Sequence, residues 1–160
     1  MTKALAALSA QIGEALRDRT LMLATAESCT GGWVAEVVTA TSGSSAWFER
    51  GFVTYSNQAK EDMLGVSPDT LSRCGAVSEP VAREMAAGAI RMSRAQVSLA
   101  ITGIAGPTGG SADKPVGTVC IAWALADGRV ESGTFHFKGT RETIRRRAVV
   151  EALQRLIRIL

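Results

Sequence analysis

Three short apolar runs, separated by stretches with helical periodicity, limit the folds open to this chain more than any other feature. The runs cover residues 21–25, 51–55 and 97–101, and they are rich in the apolar, β-branched and aromatic side chains that suit buried strands. Strands that alternate with helices along a chain are typical of a layered α/β domain with parallel pairing. We therefore expect helices to cover both faces of one sheet.

The last third of the chain adds a different pairing to that sheet. Residues 118–125 predict a fourth strand, and Asp127-Gly128 is a strong signal for a tight hairpin turn. Residues 129–137 should then run back antiparallel, before a long closing helix from about Thr140. The predicted fold is a three-layer α/β/α sandwich whose mixed, mostly parallel sheet ends in an antiparallel hairpin, with residues 1–160 in a single domain.

Composition excludes several classes of protein. The chain has three cysteines and none in C-x-x-C spacing, so a secreted disulfide framework and a zinc site are both disfavoured. No window reaches the ~18 apolar residues of a membrane span. The net charge of +3 with a single short arginine run does not favour a nucleic-acid partner. We expect a soluble cytoplasmic protein that needs no metal or cofactor.

The turn after the first strand is a natural reaction site. Residues 26–32 read Ala-Glu-Ser-Cys-Thr-Gly-Gly and lead into a helix near Trp33. Its glycines allow a ligand to approach the backbone, and free N–H groups at a helix start favour a phosphate or an oxyanion. Ser28, Cys29 and Thr30 are potential nucleophiles. The residues alone leave Ser28 and Cys29 both open, since a thiol is either activated at a helix start or inert when buried.

A base for such a nucleophile has to be a lysine. The single histidine, His136, lies in a strand-like run and is expected to be structural. Lys60 lies on the first turn of the helix after the second strand, where an α/β sheet would bring it to the edge of Ser28, but a surface ion pair with Glu61 or Asp62 is the alternative. To act as a base, the amine pKa would have to fall from about 10.4 to near 7 or 8.

The glycine-rich segment after the third strand, residues 103–110, has no named phosphate-binding pattern. It lacks both the Gly-Lys-Ser/Thr ending of a Walker loop and the G-x-G-x-x-G spacing of a dinucleotide site. A flexible connection and an anion-binding loop are both compatible with it.

Five runs in combination resemble a known family. They are residues 26–32, Gly-Phe-Val-Thr-Tyr-Ser-Asn at 51–57 with Lys60, Gly-Ala-Val-Ser-Glu at 75–79, Thr-Gly-Ile-Ala-Gly-Pro at 102–107, and Lys-Pro-Val-Gly-Thr at 114–118. The chain resembles the C-terminal domain of the CinA competence/damage-inducible proteins over nearly its whole length. Within that family it is similar to the stand-alone nicotinamide-nucleotide amidases.

The resemblance implies hydrolysis of the carboxamide of nicotinamide mononucleotide to nicotinic acid mononucleotide and ammonia, a step of pyridine nucleotide salvage. Ser28 matches the family's serine, Lys60 its lysine, and Tyr55 a tyrosine that would hydrogen-bond one of them. The expected partner is this substrate, and the expected assembly is a homodimer. The alternative is a non-catalytic nucleotide-binding or partner-binding module linked to competence or DNA damage.

Substrate contacts are expected from three groups of residues. Backbone N–H groups near Thr30, Gly31 and Gly32 would stabilise the oxyanion, and Tyr55 or Phe48 would lie against the pyridinium. The phosphate would meet the glycine-rich segment or an arginine of the last helix. The residues expected in this last group are Thr102, Gly103, Ala105, Gly106, Arg141 and Arg145.

Overall fold

The computed structural model describes all of residues 1–160 and contains five strands, six α-helices and one short 3-10 helix at Ser44–Ala46. The strands are β1 (Leu23–Glu27), β2 (Phe48–Val53), β3 (Val97–Gly103), β4 (Thr118–Leu125) and β5 (Val130–His136). The helices are α1 (Lys3–Asp18), α2 (Trp33–Thr39), α3 (Asn57–Leu64), α4 (Pro68–Cys74), α5 (Glu79–Arg91) and α6 (Arg141–Ile159). None of these helices combines the length and the apolar character that crossing a membrane requires.

The strands form one mixed sheet in the order β2-β1-β3-β4-β5. Strand β1 pairs in parallel with both β2 and β3, whereas β4 runs antiparallel to β3 and to β5. This arrangement confirms the predicted α/β fold, including its closing hairpin. Because β1 to β3 are parallel, their carboxyl ends meet at the same edge of the sheet, which is where α/β proteins commonly bind ligands.

The two faces of the sheet carry side chains of different size. Large residues of β3 and β4, such as Leu99, Ile121 and Trp123, pack in one core with α1, α2 and α6. Small residues such as Ala100 and Ala122 face the opposite core, which α3, α4 and α5 cover. The alternation follows from the two-residue repeat of a strand. The small-residue face lets α5 lie close to the sheet.

Two strand boundaries differ from the sequence prediction and affect the site. Strand β1 extends to Glu27, because Ala26 and Glu27 are paired on both sides, with β2 and with β3. The small residues at its end had suggested a turn. Strand β2 covers Phe48–Val53 and leaves Tyr55 beyond its end. Ser28 therefore directly follows the last residue of a central strand.

Candidate active site

A cavity of about 210 Å³ opens at the carboxyl edge of the parallel strands. It is lined by Ser28 and Cys29 of the predicted turn and by the predicted lysine and tyrosine. A larger concavity of about 520 Å³ lies beside α1 and α6, but its lining includes no serine, cysteine or lysine. The candidate site is the cavity in which the predicted nucleophile and the predicted lysine lie together. Its lining residues are Ser28, Cys29, Tyr55, Asn57, Lys60, Ala76, Val77, Thr102, Gly103, Ala105 and Arg141.

Ser28 and Lys60 meet inside this cavity. The Lys60 Nζ atom lies 3.0 Å from Ser28 Oγ, and the two residues are only 1% and 8% exposed, respectively. The same Nζ atom lies 2.9 Å from the carbonyl oxygen of Thr54 and 3.5 Å from that of Ser56. No carboxylate forms an ion pair with Lys60, so the surface pair with Glu61 or Asp62 is not formed.

Local sequence explains how Lys60 reaches Ser28. The Ser56 hydroxyl caps α3 by accepting a hydrogen bond from Ala59 N–H, which fixes the helix start at the end of the sheet. Lys60 is then the fourth residue of α3 and points back over the strand ends. Burial of the amine lowers the pKa of Lys60 from its ordinary value, because desolvation disfavours the charged form.

Cys29 is buried beside Ser28 in a setting that suppresses thiolate formation. Desolvation raises the pKa of the Cys29 thiol to about 12, although the positive charge of Arg145 acts in the opposite direction. At neutral pH the thiol keeps its proton and is a poor nucleophile. Of the two alternatives in the turn, the environment favours Ser28.

Tyr55 lies at the mouth of the cavity and is 62% exposed. Its hydroxyl accepts a hydrogen bond of 3.0 Å from Arg141 Nη2, and Arg141 Nη1 donates to the Gly106 carbonyl at 2.8 Å. The contact that we expected from Tyr55 to Ser28 or Lys60 is not formed, because the hydroxyl is engaged with Arg141. Tyr55, Arg141 and Gly106 instead form a polar rim.

Only the first part of the turn lines the cavity: Ser28 and Cys29 do, and residues 30–32 do not. Gly31 N–H donates to the Ser28 carbonyl at 3.0 Å, so it is not free to meet a substrate. The Thr30 hydroxyl is buried and donates to Glu27. The start of α2 is also occupied, because the Glu27 carboxylate accepts hydrogen bonds from two of its backbone N–H groups. Thr30, Gly31 and Gly32 shape the turn instead of lining the cavity.

Two further expected substrate residues also lie outside the cavity. Phe48 begins β2 and pairs with Leu23 at the start of β1. It therefore lies at the amino ends of the parallel strands, whereas Ser28 lies at their carboxyl ends. Arg145 donates to the carbonyl oxygens of Cys29 and Thr30 and lies over the Trp33 ring. These contacts engage its guanidinium with the protein itself.

The remaining predicted residues lie in or beside the cavity, and Gly106 accepts a hydrogen bond from Arg141 without being one of the lining residues. Thr102, Gly103 and Ala105 line the cavity, and the Thr102 hydroxyl donates to the Ala76 carbonyl at 2.8 Å. The residues that we had not assigned are Asn57, Ala76 and Val77, although they lie within the runs that carry the family resemblance. The chain has no cluster of three or more histidine, cysteine, aspartate or glutamate side chains suited to a metal.

Comparison with known proteins agrees with the resemblance. The family model of the CinA C-terminal domain matches residues 5–160. The nicotinamide-nucleotide amidohydrolase PncC of Escherichia coli (strain K12) is 57% identical over 149 residues, which cover 93% of this chain and 90% of that protein. The protein of the same name from Pseudomonas putida is 48% identical over 153 residues, or 95% and 94% of the two chains.

Solved structures show the same fold. The competence/damage inducible protein CihA from Agrobacterium tumefaciens has a TM-score of 0.96 at 46% identity, with 99% of this chain and 96% of that chain covered. A CinA superfamily protein from Escherichia coli has a TM-score of 0.94 at 41% identity, covering 100% and 94% of the two chains. The chain belongs to the CinA C-terminal domain family.

Proposed function

We propose that this protein is a nicotinamide-nucleotide amidohydrolase that converts nicotinamide mononucleotide to nicotinic acid mononucleotide and ammonia, as a step in pyridine nucleotide salvage. The observation that carries the proposal is the 3.0 Å separation between Lys60 Nζ and Ser28 Oγ inside a cavity. Relatives that match most of the chain and carry this enzyme name support the choice of substrate.

The acylation step uses the uncharged form of Lys60. An uncharged amine has two N–H groups, which would donate to the carbonyl oxygens of Thr54 and Ser56, and one lone pair, which would accept from the Ser28 hydroxyl. Ser28 Oγ attacks the carboxamide carbon while Lys60 takes its proton, and ammonia leaves with that proton. The products of this step are a Ser28 acyl ester and an uncharged Lys60.

The backbone next to the nucleophile offers a donor for the oxyanion. The N–H group of Cys29, which lines the cavity, donates to no backbone carbonyl, unlike that of Gly31. We propose that it stabilises the oxyanion that develops as Ser28 attacks, since a fixed donor at this place lowers the barrier strongly. A water molecule then gives its proton to Lys60, attacks the ester and releases the nicotinic acid product with regeneration of the Ser28 hydroxyl.

The rim supplies groups for the rest of the substrate. The Tyr55 ring lies at the cavity mouth, where it can stack against a cationic pyridinium. Arg141 also lines the cavity, and only part of its guanidinium is engaged by Tyr55 and Gly106. We propose that Arg141 binds the phosphate, because a guanidinium fork suits phosphate oxygens.

Ammonia release from nicotinamide mononucleotide tests the catalytic pair. We expect Ser28→Ala to lower kcat by roughly 10⁴-fold or more, because the acyl ester cannot form. Lys60→Met should lower kcat about 10²- to 10⁴-fold, which is the usual range for a lost general base. The matched controls are Cys29→Ala beside the nucleophile and Lys3→Met on the surface, and both should stay close to wild type.

Full activity of Ser28→Ala would refute the mechanism. A wild-type protein that binds the mononucleotide without releasing ammonia would instead favour the non-catalytic binding module.

Comparison of free nicotinamide with its mononucleotide tests the role of the polar rim. Arg141→Met should raise KM for the mononucleotide and leave turnover of free nicotinamide unchanged.

A further inference from the structure

Helix α2 begins without a side-chain cap of its own. Its N-cap residue is Gly32, which has a left-handed φ of +99° and no side chain to accept a hydrogen bond. The first backbone N–H groups of a helix need acceptors from outside the helix, and Ser, Thr, Asp or Asn at the N-cap usually supplies one. In this chain the acceptor comes from the preceding strand.

Glu27, the last residue of β1, takes over this role. Its Oε1 accepts hydrogen bonds from Val34 N–H at 2.8 Å and from the Thr30 hydroxyl at 2.7 Å, and its Oε2 accepts from Ala35 N–H at 3.1 Å. The residue is 1% exposed and forms no ion pair. The positive end of the helix dipole and these donors compensate the buried carboxylate.

These contacts surround the nucleophile. On the strand side, Ser28 N–H donates to the Ile101 carbonyl at 2.9 Å, and Thr54 N–H donates to the Glu27 carbonyl at 2.8 Å. On the helix side, the Glu27 carboxylate fixes Thr30 and the first turn of α2. The backbone from Ser28 to Thr30 is therefore fixed on one side by the hydrogen bonds of the sheet and on the other by those of the Glu27 carboxylate.

We infer that Glu27 is a positioning residue, whose carboxylate holds the turn so that Ser28 Oγ stays within hydrogen-bond distance of Lys60 Nζ. The inference rests on the proposed function for its kinetic test. Glu27 does not line the cavity, so it acts through Ser28 and not on the substrate. A small displacement suffices, because a misplacement of about 1 Å can cost roughly 10²-fold in rate.

Glu27→Gln is the most direct test, since it keeps the shape of the side chain and replaces one acceptor oxygen with an amide donor that faces the helix N–H groups. We expect kcat to fall about 10- to 100-fold with KM near wild type. Glu27→Asp keeps the charge with a shorter reach and should lose less. The matched control is Glu36→Gln, which removes an exposed carboxylate from the same helix turn.

A pH profile separates positioning from loss of folded protein. When Ser28 moves away, the Lys60 ammonium loses Ser28 Oγ as the acceptor of a charge-assisted hydrogen bond, so the Lys60 pKa should fall and the acidic limb of the kcat/KM profile should move to lower pH. A merely structural role would lower the folded fraction, measured by circular dichroism, without moving that limb. Thr30→Val, which removes one donor to Glu27, should move the limb in the same direction if Glu27→Gln fails to fold.

A kcat for Glu27→Gln equal to that of Glu36→Gln would overturn the inference, and so would an unmoved acidic limb. If the wild-type protein releases no ammonia from the mononucleotide, the proposed function fails by itself. The role of Glu27 is then decided by a crystal structure of Glu27→Gln. An Oγ to Nζ separation still at the hydrogen-bond distance would overturn the role, and a separation beyond it would support the role.

Discussion

Lys60 shows most clearly what a single residue contributes to this site. A buried amine is costly in its charged form unless a carboxylate compensates it, and Lys60 has none. Its sequence context predicted the helix that carries it and left a catalytic base and a surface ion pair both open, because the sequence of a single helical turn does not reveal which side faces the protein. Burial, a tertiary property, decides between them.

The lowered pKa of Lys60 makes stability depend on pH. The unfolded chain keeps an ordinary lysine pKa of about 10.4, so between the folded and unfolded values it binds more protons than the folded protein. We therefore expect the free energy of unfolding of the wild type to rise with pH in that window, relative to Lys60→Met, by about 1.4 kcal/mol for each unit by which burial lowers the pKa.

Urea denaturation of both proteins at pH 7 and pH 10 measures this effect. Lys3→Met is the control, because Lys3 is exposed, and its difference from wild type should not change with pH. An equally constant difference for Lys60→Met would mean that the buried amine stays protonated in the folded protein.

Cys29 allows a second test at this scale. Because burial raises the pKa of its thiol to about 12, alkylation by iodoacetamide at pH 8 should be slow relative to the half-buried Cys74. Cys29→Ala should keep ammonia release near the wild-type rate at a stability cost of about 1 kcal/mol. Mass mapping of the alkylated peptides gives the rates. Rapid labelling of Cys29 with parallel loss of activity would return the thiol to consideration as the nucleophile.

Individual elements were predicted well where short-range chemistry defines them. Helix α2 begins at Trp33, where the glycines of the turn predicted its start, and β4 has its predicted bounds. The end of β1 was wrong by two residues, because pairing on both sides outweighs the turn preference of Glu27 and its neighbours. The role of Glu27 as a distant cap was missed for the same reason.

Helix α5 contains a glycine that propensity alone would not explain. A Cβ atom at Gly88 would overlap the carbonyl oxygen of Leu64 at the end of α3. Alanine favours a helix over glycine by about 1 kcal/mol, but we expect Gly88→Ala to lower the free energy of unfolding by roughly 2 kcal/mol because α3 has to move away. The same shift should lower kcat, since α3 carries Lys60.

Thermal and urea unfolding of Gly88→Ala measure the stability change. Ala87→Gly, at the neighbouring position of the same helix, is the control and should lose about 1 kcal/mol through helix propensity alone without a change in kcat. A stabilised Gly88→Ala would show that α3 and α5 are not in close contact at this point.

The whole molecule brings together residues that no local pattern connects. Layering and the hairpin followed from the order of elements, but the strand order depends on long-range pairing that the sequence does not display. Phe48 is an example of the resulting error. We assigned this aromatic residue to the substrate, but it begins β2 at the end of the sheet opposite to Ser28. The homodimer, the single-domain organisation and the cytoplasmic location stay predictions.

Two leucines test how the cores relate to activity. Leu156 of α6 and Leu64 of α3 are both fully buried, in different cores. Either change to alanine should lower the free energy of unfolding by about 2–5 kcal/mol. Leu64→Ala should also lower kcat, since Leu64 lies one helical turn after Lys60, whereas Leu156→Ala should leave kcat per folded molecule unchanged. The measurement is kcat of both variants at a temperature well below both melting temperatures. An equal kcat in the two variants would contradict this prediction.

The turn that carries Ser28 packs against the face of the sheet that α1, α2 and α6 cover. Lys60 lies on α3, which covers the opposite face. Proton transfer between Ser28 and Lys60 therefore depends on how the two helical layers are positioned relative to each other. A shift of about 1 Å between the two sides would lower turnover roughly 10²-fold with every helix intact. Heat should accordingly inactivate this protein before the helical signal disappears.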